Sequence, residues 1–391
     1  MVAVRSTWSV AVMMALLAAA GVTACGDDSS VHGGSGGASG GGTGGTDQGG
    51  SGGTAQSGGS GGGSSGGSSG SAGSGGTAGS GGISGSWRPF SDDSPWNTPI
   101  GPTPELEADS AALIEDLKNC SPWGPHLDIN IDGYSVPLYW ADASTPKVEV
   151  KCTYGGYGFP GDNGFDASAL VPIPPGAEPD PESDHHLLIL DRDTQLEWGM
   201  WNVTHDANGW TCGLGATMDL TGTGVRPIAE GNPTWYTSAG PRACGFPLVA
   251  GLIRPDEVEA GEIRHALVLA YRHIRAGWYT PPASTGQARV GDDAIKTRGI
   301  PCGGRVQLDP SIDLDTLGLD DAGKVIARAL QVYGAYVGDY SGAISLYADN
   351  SPDARAYWST RLDSYEFNNK LDLSWLRVIK LGPQYDNGNG D

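Results

Sequence analysis

Residues 33–86 are mostly Gly, Ser, Thr and Ala, and this stretch limits what the chain can fold into more than any other feature. Such a segment holds too little apolar surface to offset the entropy of ordering it. It reads as a linker, and about 60 residues of Gly-rich coil have a root-mean-square reach of roughly 40–47 Å. Folding is therefore left to residues 87–391, enough chain for a sizeable core. That part carries 22 Lys and Arg against 42 Asp and Glu, a balance near −20. A nucleic-acid binder or a protein that binds an anionic membrane directly is expected to be basic, so both classes are disfavoured.

Residues 1–24 read as a signal peptide. Arg5 supplies the positive start, and Trp8 to Ala20 form an apolar run too short to span a bilayer. Val22-Thr23-Ala24-Cys25 resembles the bacterial lipobox, which implies a lipid on Cys25 and a tether over 25–86. Gly26, where an Asp would favour inner-membrane retention, implies the outer membrane or cell surface. Export permits disulfides. Pairing by sequence order predicts Cys120–Cys152 and Cys212–Cys244, with Cys302 free. No CxxC or Cys/His spacing suggests a metal site, and no P-loop, GxSxG, HExxH or dinucleotide-binding motif suggests a cofactor.

Within 87–391 the periodicity predicts a mostly β fold with peripheral helices, an antiparallel β-sandwich or jelly roll. Helices are expected over 105–119, 321–336 and 352–365, the second capped by Asp320 or Asp321. HHLLILD and QLEWGMWNV, with Arg192-Asp193-Thr194 between them, read as a hairpin. GATMDL, FPLVAGLI, RHALVLAYR and GRVQLD read as further strands.

Strand alternation then sorts the polar residues. His186 runs in phase with Leu188 and Leu190, and His265 with Ile263, Leu267 and Leu269. Glu197 and Trp201 share a face, as do Arg305 and Gln307. Buried histidines need partners, so this reading brings His186 and His265 to one cleft with Arg305 and Gln307. Aromatic platforms beside carboxylates suit sugars, and the whole chain has 12 Trp. The expected function is a tethered polysaccharide-active enzyme. Hydrolysis would draw its two carboxylates from Glu197 and Glu257 or Asp191. Elimination would use His186 or Tyr333 as base, with Arg305 and Gln307 facing a uronate. The acidic domain favours hydrolysis. A non-catalytic glycan-binding or adhesion module is the alternative, and a structural envelope protein a third reading.

The runs PFSDDSPWNTPI, SDHHLLILD, GFPLVAGLIRPDEVEAGEIRHAL, RVQLDPSIDL and ARALQVYGAYVGD together resemble a widespread group of exported actinobacterial and myxobacterial proteins. The resemblance covers nearly all of 87–391. It implies one intact exported domain and supplies no mechanism. Polar residues within the shared runs are Asp184, His186, Asp191, Asp256, Glu257, His265, Asp313, Tyr333 and Asp339.

If Cys25 accepts the lipid, Cys25→Ala moves the protein from the membrane fraction to the soluble fraction with its thermal unfolding unchanged. Retention of the variant through carbonate washing would refute the lipid anchor.

Overall fold

Short runs of aliphatic and aromatic residues, broken by Gly, Pro and Asp, give strands where the alternation predicts them. The computed structural model describes residues 87–155, 159, 167–227 and 240–388; Cys25 and the linker expected over 25–86 lie outside them. The strands are β1 Leu127–Asn130, β2 Leu138–Ala141, β3 Lys147–Gly155, β4 Ala167–Pro172, β5 Leu187–Asp191, β6 Leu196–Trp201, β7 Thr204–Asp206, β8 Gly209–Asp219, β9 Leu267–Ala270, β10 Arg275–Tyr279, β11 Pro301–Cys302, β12 Arg305–Leu308, β13 Ala335–Asp339, β14 Ile344–Tyr347, β15 Leu376–Val378 and β16 Tyr385–Asp386. The helices are α1 Ser110–Lys118, α2 Pro255–Glu259, α3 Asp321–Val332, α4 Pro352–Arg361 and α5 Ser364–Lys370. Strand outweighs helix, as expected. Among the described residues no helix is long and apolar enough to cross a membrane.

One sheet runs β1-β14-β9-β13-β12-β15, a second β2-β5-β6-β8-β3-β4 with β7 on β8, and a small third β11-β10-β16. The expected antiparallel order gives way to mixed sheets: β1/β14, β9/β13, β2/β5 and β3/β8 are parallel. Parallel neighbours need long crossovers, and the chain supplies them. The path from β9 to β13 includes α3, which Asp320 caps by accepting the Gly323 N–H. Gly334, at φ +68, then turns the chain into β13. The helix expected over 352–365 is two helices. Leu362 is extended, and the Asp363 carboxylate restarts the helix by accepting the Glu366 N–H.

The predicted hairpin is β5–β6, antiparallel from Leu187↔Met200 to Asp191↔Leu196. All five residues of β5 are buried, because the strand has a core on each side. Leu188 and Leu190 pack into the larger cluster, with β9, β13 and β14; Leu187 and Ile189 pack into a smaller one with Val150, Val171 and Met200. FPLVAGLI, expected as a strand, is a buried non-strand loop. Gly251 turns it at φ +69, where a Cβ would lie 2.6 Å from the Leu267 carbonyl carbon and the Val268 nitrogen. That approach forbids a pleated strand there.

The chain before α1 is clamped by alternating cations and aromatics. The Arg192 guanidinium lies 4.7 Å from the Trp140 ring, Trp140 meets Trp87 edge-on at 4.9 Å, and Arg254 lies 4.8 Å over Trp87. Arg254 also donates to the Trp87 carbonyl at 3.3 Å and pairs with Glu257 at 2.8 Å.

The disulfides are Cys152–Cys212 and Cys244–Cys302, and Cys120 is the buried free thiol. This corrects both pairs expected from sequence order. Cys152 and Cys212 face each other in register across β3 and β8 with Cα atoms 4.3 Å apart, within reach of a bridge. Cys120 follows α1, and burial pushes its thiol up, which disfavours the reactive thiolate. The two bridges mark an oxidising compartment.

Non-reducing peptide mapping should return these two linkages, with Cys120 alkylated only after unfolding. Replacing Cys244 and Cys302 with Ala opens a 58-residue span and should cost about 4 kcal/mol in the chain-entropy account. A Cys120-containing bridge in the native protein would overturn the assignment.

Candidate functional site

The β5–β6 hairpin presents one polar face to the larger core. Glu197 pairs with Leu190 and Gly199 with Leu188, so Glu197, Gly199 and Trp201 share the face that His186 takes by phase. The Asn202 and Val203 N–H groups donate to the Asp184 and His185 carbonyls. This straps residues 184–186 beside the end of β6. From the other large sheet come Asp339, at the end of β13, and Tyr347, at the end of β14. The loop carrying Pro241 and Arg242 closes against the Glu197 face.

Glu197 fixes that loop. Its two carboxylate oxygens accept the backbone N–H groups of Leu248 at 2.7 Å and Val249 at 3.2 Å. Gly199 leaves the space required, since a Cβ there would lie 2.7 Å from Glu197 Oε1 and 3.0 Å from Pro241 Cγ. Burial pushes the Glu197 carboxyl up, opposed by Arg226 and by the two amides.

His186 is buried, and its Nε2 lies 3.2 Å from the Pro241 carbonyl oxygen. A carbonyl only accepts, so Nε2 carries the proton. Nδ1 is then a bare lone pair, and it has no partner. Burial pulls the imidazole below its usual range, Asp184 opposes that and Arg242 reinforces it, so the ring is neutral. Arg242, also buried, stacks 4.3 Å over the Tyr347 ring and donates through Nη2 to the Leu248 carbonyl at 3.3 Å. Its Nε and Nη1 have no partner.

Two carboxylates complete the site, both partly open to solvent. Asp184 accepts from the Trp201 indole N–H at 3.5 Å. Asp339 accepts the Tyr340 N–H at 2.9 Å, and the Ala243 amide and the Tyr347 hydroxyl lie close enough to act on it electrostatically. Burial pushes Asp339 up to about 7, with Arg242 opposing and Asp184 reinforcing. Tyr347, its phenol driven well up by burial, stays neutral beside it.

The contacts divide the sequence-predicted residues among four places. His186, Glu197 and Trp201 belong to this cluster. His265 and Glu257 form a second, with Nε2 to Oε1 at 3.1 Å and Arg254 on the other side of the carboxylate; burial pushes Glu257 up, but Arg254 and His265 more than offset it and leave it lowered. Arg305 and Tyr333 form a third. Arg305 Nε donates to the Tyr333 carbonyl at 2.8 Å, and Gln307 nearby on β12 bonds the Gln331 carbonyl and Arg377. Asp191 closes the hairpin turn by accepting the Asp193 and Thr194 N–H groups. No described contact joins His186 to His265, and their partners differ. Among the described residues no group of three His, Cys, Asp or Glu is placed to hold a metal ion. Sequence reasoning missed Arg242 and Tyr347. Arg242 lies in a Gly/Pro/Cys run without period, and Tyr347 reads as one more apolar residue of a buried strand.

No protein family, curated protein or solved structure matches the chain.

Burial also raises Asp349 to about 6, against the Leu138 and Ser351 amides that bond it. A carboxyl raised above its unfolded value near 3.9 adds stability below that value and loses it as pH rises through 6–7. Asp339→Asn, permanently neutral, should therefore match wild type in urea midpoint at pH 4. At pH 8 it should exceed wild type by ~2 kcal/mol. A variant less stable at pH 8 would show that the charged carboxylate is the form the fold favours.

Proposed function

We propose that this chain is a glycan hydrolase held at the bacterial envelope by a lipid on Cys25, with Asp339 as general acid and Asp184 as the second carboxylate. The observation that carries the reading is a carboxyl pair at a partly open site: Asp339 is raised to about 7, chiefly by burial and in part by Asp184, and an indole lies against Asp184. Glycoside hydrolysis needs one carboxyl still protonated near neutrality, to protonate the leaving oxygen, and a second to act as base or nucleophile. The Tyr340 N–H holds the acid in place. Trp201 offers an apolar ring for a sugar face, and its N–H orients Asp184. A binding module has no need of ionisable groups buried beneath its aromatic, and that favours chemistry over adhesion. Glu197 and Glu257, the carboxylates first suggested by sequence, are bonded to backbone amides and to Arg254 respectively.

The full-length protein, screened against a panel of plant and microbial polysaccharides, should release reducing ends. Its kcat should fall as pH rises through 7, because Asp339 loses its proton. Asp339→Asn should lower kcat by about 10²–10⁴-fold with KM little changed and the fold intact. Glycan binding without turnover, or full kcat in the variant, would leave the adhesion module as the better account.

A further inference from the structure

Arg242 and His186 are the two side chains of the site whose polar atoms are least satisfied, and they sit together. His186 Nε2 is bonded to the carbonyl of Pro241, the residue preceding Arg242. Both side chains are about 98% buried or more. Among the described residues they leave three guanidinium N–H donors, one on Nε and two on Nη1, and one imidazole lone pair without a partner. A buried unpaired donor or acceptor is costly, more so for a charged group, and among the described residues Arg242 makes no salt bridge within 4 Å. Three of its five N–H donors face no acceptor among the described residues, and one flat face is already taken by Tyr347.

We infer that this site binds a sugar acid, the carboxylate of the sugar on the unpaired Arg242 Nη1 donors and an adjacent hydroxyl donating to His186 Nδ1. The chemistry is complementary atom by atom. A guanidinium N–H is a charge-assisted donor that a carboxylate oxygen accepts, and a neutral imidazole with its proton on Nε2 offers an acceptor to a hydroxyl. A bare inorganic anion satisfies the first requirement but brings no hydroxyl for the second. Asp184, Trp201 and Asp339, partly exposed, form the way in, and Asp339, largely protonated below pH 7, sets little negative charge against an arriving carboxylate. The domain's overall charge near −20 repels a polyanion at long range. The substrate class this implies is a largely neutral glycan carrying isolated uronic acid residues. The inference rests on reading the cleft as a glycan site and adds the charge its ligand must carry.

The test is titration of the full-length wild-type protein, followed by tryptophan fluorescence and calorimetry, with glucuronate, galacturonate, glucuronamide, glucose and sulfate. At least one uronate should bind ten-fold or more tighter than glucuronamide, its neutral analogue, and than glucose or sulfate. Arg242→Gln should lose that preference. Equal weak binding of all five up to ~20 mM, or sulfate binding as tightly as the uronates, would overturn the inference and leave buried water as the partner of these atoms. The wild-type series decides the matter even if Arg242→Gln does not fold. Reducing-end release is scored separately. Uronate preference without release removes the hydrolase reading and keeps the sugar-acid site; release from neutral glycans with no uronate preference does the reverse.

Discussion

The buried carboxylate of Glu197 holds the rest of the site in place. It sits on a β-strand, yet it serves a loop that Gly251 turns at φ +69. By accepting two consecutive amides it does for Leu248 and Val249 what a neighbouring strand would have done. The same carboxylate faces Arg226 and Arg242 electrostatically. The position of Arg242 over Tyr347 thus depends on a charge buried in the other large sheet. Removing that charge leaves two buried amides without acceptors and takes negative charge away from two buried guanidinium groups.

The site gathers ionisable groups where burial penalises charge. Asp339 and His186 are shifted in the directions that make each neutral, upward for the acid and downward for the base. A fold selected for stability alone has no reason to keep a carboxyl near 7 at a partly open mouth. The second buried cluster is different. There the Arg254–Glu257–His265 contacts pair opposite charges, and Glu257 is lowered. Its chemistry is spent on holding α2 to the segment that precedes β9.

Much of the architecture was legible in the sequence because it rests on local period. The β5–β6 hairpin, the Asp320 cap of α3 and the placement of His186 on the Leu188 face all follow from alternation or capping within a few residues. The disulfides and the parallel strand pairs did not follow, since they depend on residues some 60 positions apart meeting through crossovers that no local pattern encodes. The site was half legible. His186, Glu197 and Trp201 carry a strand phase, and Asp184 and Asp339 stood out in shared runs. Arg242 carries no phase at all, and His265, in phase with an apolar face exactly as His186 is, turned out to have a carboxylate and an arginine of its own.

The ladder of Arg192, Trp140, Trp87 and Arg254 has a mechanical meaning. Any tension on the chain upstream of Trp87 enters the fold through that indole and its carbonyl. It meets an edge-on indole and a guanidinium rather than a free end. From Arg254 the load passes to Glu257 and His265, two residues before β9, the strand that lies between β13 and β14. Those two strands end in Asp339 and Tyr347. Trp87 and the carboxyl pair are therefore joined through packed side chains and one shared strand.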